Sequence, residues 1–363
     1  MATESRAAGP CGDRWSRVEF DVLGEGLWFT SPDLTLRASP EAHAAAVAFG
    51  GRAAGAGIRV DPQFAAGVGV IAETVRDWWG IELSRPEAGE DAPGPQSGRA
   101  LCFSAGVDSF WSLLRSGPWD DLVFVRGFDI ALTDVERGDH AEASVRAIAA
   151  KLEARAVVVS TNLRAHPLWA PLDWRRTHGA ALAAVGHTLI DHVGKFGISA
   201  SYAAALDVPW GTHPTLDPLW SSRALAVQHI GAELWKREKL RVIADEPLVQ
   251  EHLRVCWEHR RPGQNCSACE KCLRTMCYLA QAEKLAQFKT FDGRDLPRRV
   301  DALRHLPAGV AVVWEEMAAD GLPDDLGPAV QRLLRRSRSW RGRSLRASTS
   351  WGGAVRRRLR SSS

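Results

Sequence analysis

A short loop, Ser104–Ser109 (SAGVDS), combines residue types that suit an anion. An apolar run, 100–104, precedes it and a helical pattern, 108–115, follows, so the loop is predicted to join a strand to a helix. The amide groups and the dipole at a helix start favour a phosphate, and Gly106 lets the backbone approach it closely. Asp108 would repel a phosphate unless a cation lay between them, so we expect it to help hold Mg²⁺.

A second group is a set of cysteines spaced C-x9-C-x2-C-x2-C, at Cys256, Cys266, Cys269 and Cys272. Four thiolates at this spacing suit a closed, tetrahedral Zn²⁺ site with no open position for water, which predicts a structural metal. An iron–sulfur cluster and four free buried thiols are the alternatives. Cys102 and Cys277 are expected to lie in the core.

These two motifs together resemble a known superfamily. The loop is similar to the PP-loop (Ser-Gly-Gly-x-Asp-Ser) of the ATP pyrophosphatases, with Ala105 in place of the second residue, usually glycine. If position 105 needs a positive φ, alanine costs roughly 1 kcal/mol there. The cysteine spacing resembles that of the 7-cyano-7-deazaguanine synthases, with one more residue in the first gap. This resemblance covers roughly residues 98–285.

The resemblance implies an AMP-forming ligase that binds ATP, Mg²⁺ and Zn²⁺. Such an enzyme adenylates a carboxyl or carbonyl oxygen, and ammonia or an amine then displaces AMP. It implies catalytic roles for Asp108 and Ser109. The implied nucleotide-binding residues are Ser104, Ala105, Gly106, Val107, Asp108, Ser109 and Asp129. Sulfur transfer to tRNA and nucleotide binding without catalysis are the alternatives, the first needing a reactive cysteine and the second favoured by Ala105.

Strand-like and helical patterns alternate after residue 100, which predicts an α/β fold with a doubly wound parallel sheet. Expected strands are 100–104, 121–130, 155–160 and 195–202; expected helices are 108–115, 139–154 and 179–193; 226–255 reads as mainly helical. The predicted organisation is a disordered 1–14, an N-terminal α+β module (15–86), a linker (87–99), the ATP-binding domain (100–255), a zinc knuckle with a helical C-terminal part (256–331) and a basic disordered tail (332–363).

Polar residues at the predicted carboxyl ends of strands are candidate ligand contacts, since open α/β sheets bind ligands there. Asp129 lies at the end of the second expected strand, and a proline-stiffened loop with His213 and Asp217 follows the fourth. We expect His213, Asp217 and Arg274 to contact the substrate. Arg175, Arg176 and His178, at a helix start, could meet a phosphate or carboxylate.

Composition sets the remaining expectations. An apolar fraction of 45% with 25% charged residues is ordinary for a globular protein, and no long apolar segment predicts a membrane span or a secretory signal, so we expect a cytoplasmic protein. The net charge of +3 includes eleven arginines after residue 331, which leaves about −8 on the rest. That tail favours a solvated segment over a nucleic-acid contact. The expected partner is a small-molecule or peptide substrate, and a homodimer is compatible with the sequence.

Overall fold

A computed structural model describes residues 15–51, 54–89, 93–258 and 265–344. The chain divides into two compact units. Unit 1 comprises residues up to 104, 112–204 and 209–233; unit 2 comprises 105–111, 205–208 and 234 onward. The predicted disordered segment 1–14 and the part of the predicted tail after residue 344 lie outside the described residues.

The strands all belong to unit 1. They are Ser16–Val22 (β1), Glu25–Ser31 (β2), Arg59–Val60 (β3), Glu87–Ala88 (β4), Gly98–Cys102 (β5), Asp121–Arg126 (β6), Arg155–Thr161 (β7), Val193–Ser199 (β8) and Ala226–Ile230 (β9).

The helices occur in both units. They are Pro40–Val47 (α1), Pro62–Trp79 (α2), Val107–Arg115 (α3), Val135–Lys151 (α4), Trp174–Thr188 (α5), Lys236–Ile243 (α6), Pro247–His252 (α7), Glu270–Gln281 (α8), Leu296–Asp301 (α9), Ala308–Ala319 (α10) and Gly327–Ser344 (α11). Within the part of the chain that the structure describes, no helix combines the length and apolar character that a membrane span needs.

A seven-stranded sheet in the order β1-β2-β7-β6-β5-β8-β9 forms the centre of unit 1. Strands β5 to β9 are parallel, whereas β1 and β2 form an antiparallel pair whose second strand joins β7. The prediction of an α/β fold with a largely parallel sheet is confirmed. Strand β6 is buried along almost its whole length, as expected where helices cover both faces.

Strand β5 lies in the middle of the parallel part, with β6 and β7 on one side and β8 and β9 on the other. Connections therefore leave this region in opposite directions, and open α/β sheets bind ligands beyond the carboxyl ends of the strands at such a point. Ser104, two residues after β5, stands at that edge of the sheet.

Local sequence explains where several elements begin and end. The Asp61 side chain accepts hydrogen bonds from the amides of Gln63 and Phe64 at the start of α2, and Gly80 ends that helix with φ +68°. Gly127, at φ +98°, turns the chain after β6, so this strand ends earlier than the predicted 121–130.

The segment 226–255 differs from the mainly helical prediction at its start, because Ala226–Ile230 forms strand β9 beside β8. Gln228 and His229 give this edge strand a polar composition that hides it in the sequence. Two further segments contain more regular structure than expected. Residues 332–344, in the predicted tail, belong to α11, and Glu87–Ala88, in the predicted linker, pairs with β3.

Candidate functional site

The loop between β5 and α3 has the backbone conformation that a glycine would normally supply. Ala105 has φ +56°, in the left-handed region, and its side chain is buried. Helix α3 begins at Val107, and the Phe110 amide donates to the Gly106 carbonyl over 2.9 Å. The Ser109 hydroxyl also donates to the Gly106 carbonyl, over 3.1 Å, and so reinforces the first turn. The condition set from the sequence, a positive φ at residue 105, is met.

Asp108 lies in the first turn of α3 and contacts two lysines of α6. Its Oδ2 accepts a hydrogen bond from Lys236 Nζ, and its Oδ1 lies 3.3 Å from Lys239 Nζ. The Lys239 side chain is only 1% exposed and the Asp108 side chain 17%. Burial by itself would raise the pKa of Asp108, but Lys236 and Lys239 outweigh it and hold that pKa below its usual value. Asp108 is therefore a carboxylate between two ammonium groups.

A third lysine also acts on this carboxylate. Lys271, at the start of α8, also lies close enough to lower the pKa of Asp108. Lys239 Nζ stands 5.8 Å from the centre of the Trp111 ring, an arrangement in which the ring face favours a cation. Three lysines thus surround one aspartate beside a helix N-terminus, and this electrostatic arrangement suits a polyanion.

The four cysteines predicted as metal ligands come together in unit 2. Cys256, Cys266, Cys269 and Cys272 are all buried, and their sulfur atoms lie within 4.8 Å of one another. The distances from Cys256 Sγ to Cys269 Sγ and from Cys266 Sγ to Cys272 Sγ are both 3.9 Å. A tetrahedral site with Zn–S bonds of ~2.3 Å requires sulfur–sulfur distances of about 3.8 Å. The group could therefore hold a single metal ion such as zinc.

Hydrogen bonds around the cysteines support this arrangement. The Cys269 amide donates to Cys266 Sγ over 3.2 Å, and the Cys272 amide donates to Cys269 Sγ over 3.5 Å. Ser267, in the turn between Cys266 and Cys269, has φ +50°. Amides directed at sulfur stabilise thiolate charge, which is the form that a metal binds.

The candidates His213 and Asp217 lie in unit 1 and are engaged by the protein. Asp217 is fully buried, its Oδ2 lies 2.6 Å from His229 Nδ1, and its Oδ1 accepts from the His213 amide over 3.2 Å. The His213 ring packs edge-on against Trp78 with the centroids 5.0 Å apart. These contacts suit residues that fix the conformation of the 210–218 loop.

His178 joins the same region, because its Nε2 lies 3.2 Å from the hydroxyl of Thr212. Arg175, which precedes it on α5, pairs with Asp173 over 2.9 Å.

Asp129 and Arg274 occupy different surroundings. Asp129 is exposed and follows β6. Burial raises the pKa of Cys102 to about 12, and the negative charge of Asp129 adds to this effect. Arg274, in α8, pairs with Glu270 over 2.9 Å, and Glu270 also accepts from Trp314 Nε1 over 2.7 Å. Arg274 therefore belongs to unit 2, whereas His213, Asp217 and Asp129 belong to unit 1.

Sequence reasoning missed Lys236, Lys239 and His229. In the segment 236–241, four of six residues are basic and one is acidic, a composition typical of a solvated helix face. A periodicity argument could have found the lysines: Lys236, Lys239, Leu240 and Ile243 follow the i, i+3, i+4, i+7 spacing of a buried face. Comparisons with protein-family models, with curated proteins and with solved structures found no match.

Proposed function

We propose that this chain is an ATP-dependent enzyme that splits ATP between its α and β phosphates and transfers AMP to a substrate oxygen. The observation that carries the proposal is the cluster of Lys236 and Lys239 on Asp108, at the start of α3 and next to the left-handed Ala105. Pyrophosphate is a compact polyanion, and buried ammonium groups beside a helix N-terminus are suited to stabilising it as it leaves. The similarity of the loop to a PP-loop supports the same reaction.

The proposed reaction has two steps. A carboxyl or carbonyl oxygen of the substrate attacks the α phosphorus, the bond to the bridging oxygen of the β phosphate breaks, and pyrophosphate leaves. Ammonia or an amine then attacks the activated carbon, loses a proton and displaces AMP. The loop residues Ser104–Ser109 would hold the phosphates, and the two lysines would neutralise the leaving charge.

Mg²⁺ and zinc have separate parts in this proposal. When bound with ATP, Mg²⁺ would supply positive charge that neutralises the charge developing on the phosphates. Both oxygens of Asp108 already face ammonium groups, so we assign Asp108 first to orienting Lys236 and Lys239 and second to the metal. Zinc at the four cysteines would be structural, because four thiolates leave no open position. The cysteine spacing supports a relative of the 7-cyano-7-deazaguanine synthases.

Nucleotide binding without catalysis is the second candidate, and one observation favours it. The ion pairs on both oxygens of Asp108 already neutralise this carboxylate, which weakens its attraction for a magnesium ion. Sulfur transfer gains no support from the described spare thiols. Cys277 is fully buried, and burial raises the pKa of both Cys277 and Cys102.

A pyrophosphate-release assay across carboxylates tests the proposal. The panel would contain 7-carboxy-7-deazaguanine and peptides, each with ammonium or a primary amine as the nucleophile. The expected result is release that requires one of these carboxylates and falls at least a hundredfold in Asp108→Ala. Tight ATP binding with no release from any of them would favour the non-catalytic candidate.

A further inference from the structure

The segment that leads into the first cysteine also contacts the phosphate loop. Arg254, two residues before Cys256, donates its backbone amide to the carbonyl of Ala105 over 2.8 Å. Ala105 is the residue whose left-handed backbone conformation is unfavourable for any side chain with a Cβ atom. Such a conformation persists only where the surrounding structure holds it. The Arg254 amide is therefore one of the contacts that hold the loop.

Asn265 fixes this segment to the cysteine-bearing turn. Its Oδ1 accepts from the amides of Val255 over 2.8 Å and Cys256 over 3.2 Å, and its Nδ2 donates to the Leu253 carbonyl over 2.7 Å. Asn265 directly precedes Cys266. The residues on either side of Arg254 are thus bonded to the turn that carries the next metal ligand.

A second connection runs through α8. Cys269 caps this helix, with its Sγ accepting from the Cys272 amide, so both ligands set the position of its first turn. Lys271 lies between them and is one of the three positive charges that act on Asp108. The same four cysteines therefore fix the backbone partner of Ala105 and the position of one lysine of the anion cluster.

We propose that the four-cysteine metal centre positions the phosphate loop, so that metal binding determines pyrophosphate affinity although the metal takes no part in the chemistry. A bound metal holds Cys256 against Cys266, Cys269 and Cys272, and thereby holds Arg254 where its amide meets Ala105. Without it, the left-handed conformation loses a supporting contact and Lys271 loses its anchor. The inference rests on the proposed function only in taking pyrophosphate as the anion.

The sharpest test changes the connection and leaves the ligands intact. Arg254→Pro removes the amide hydrogen that Ala105 accepts, and the extended conformation of Leu253 (φ −56°, ψ 122°) suits a residue before proline. Arg254→Ala is the matched control, because it removes the side chain and keeps the amide. Inorganic pyrophosphate affinity is measured by calorimetry, metal content by elemental analysis, and exposure of amides in 104–110 by hydrogen exchange.

We expect Arg254→Pro to keep its metal, to exchange these loop amides faster than Arg254→Ala, and to bind pyrophosphate roughly three- to tenfold more weakly, as the loss of one hydrogen bond implies. Metal removal should have the same two effects, whereas Cys277→Ala should have neither. Equal loop exchange and equal affinity in the proline and alanine variants would overturn the inference. If the metal-free protein unfolds, the comparison of Arg254→Pro with Arg254→Ala still tests whether the amide of residue 254 holds the phosphate loop.

Failure of the proposed function gives a different result. A wild-type chain that binds no pyrophosphate contradicts the anion assignment, yet hydrogen exchange of 104–110 with and without metal still reports whether the metal centre holds the loop. Unchanged exchange on metal removal, with the fold retained, would overturn the positioning role by itself.

Discussion

Replacing Lys239 by methionine should weaken pyrophosphate binding without lowering the stability of the fold. Lys239 is 1% exposed and shares Asp108 with Lys236, and Lys271 acts on the same carboxylate. Removing one partner from a buried ion pair usually destabilises a protein because the other charge is left alone. Here Asp108 keeps Lys236 as its partner after Lys239→Met, so its carboxylate is not left alone. We therefore expect the free energy of unfolding in anion-free buffer to stay within about 1 kcal/mol of wild type or to rise.

Pyrophosphate binding should respond in the opposite way. A charge-assisted hydrogen bond contributes about 1.5–3 kcal/mol, so losing one to a phosphate oxygen weakens binding roughly 10- to 150-fold. The structure supports the upper part of this range, because Lys239 is buried and poorly screened by salt. Calorimetric titration with inorganic pyrophosphate and urea unfolding without it give the two quantities.

Lys284→Met is the matched control, since Lys284 is also an ion-paired lysine of unit 2, with Asp245 as its partner and 30% exposure. Its pyrophosphate affinity should equal that of wild type. Equal affinities in Lys239→Met and wild type would refute the anion-site reasoning. A large loss of stability in Lys239→Met would show that Lys236 alone does not satisfy Asp108.

Three further outcomes are expected. Ala105→Gly should change the free energy of unfolding by no more than about 1 kcal/mol in a urea titration. It relieves roughly 1–2 kcal/mol of strain at φ +56°, but it also removes a buried methyl group and increases the chain entropy of the unfolded state. Ala105→Val should destabilise the protein by clearly more in the same titration. The purified chain should carry one zinc ion per chain, lost in Cys269→Ser and kept in Cys277→Ser; two or more iron atoms with sulfide would instead indicate a cluster. Burial lowers the pKa of His43 to about 4, against the opposing effect of Asp21. As the pH falls from 6.5 to 4, the unfolded chain therefore takes up a proton that the native chain does not, and the free energy of unfolding should decrease. His43→Phe should make this pH dependence less steep, and an unchanged slope would contradict the assignment.

Features encoded by neighbouring residues could be predicted from the sequence. The loop Ser104–Ser109 needs only a strand, a turn and a helix start in succession, and the four cysteines need only their spacing. The structure bears out the close approach of the four sulfurs and the largely parallel sheet, and residue 105 has the positive φ on which the cost of alanine depends.

Contacts between distant residues could not be predicted in this way. Asp108 and Lys239 are 131 positions apart, and a basic, helical stretch such as 236–241 is usually solvated. Strand β2 pairs with β7 through residues more than 100 positions away, which no local pattern of 15–86 encodes. His229 escaped notice because one polar residue in an edge strand is common, and its bond to Asp217 exists only once β9 and the 210–218 loop are folded.

The proposed reaction splits ATP at its α phosphate. The most direct measurement identifies the nucleotide products by mass spectrometry after the metal-loaded chain has been incubated with Mg²⁺, ATP, ammonium and the carboxylate panel. We expect AMP and pyrophosphate in equal amounts, with neither formed by Asp108→Ala. ADP with orthophosphate as the products, or AMP formation that survives Asp108→Ala unchanged, would contradict it.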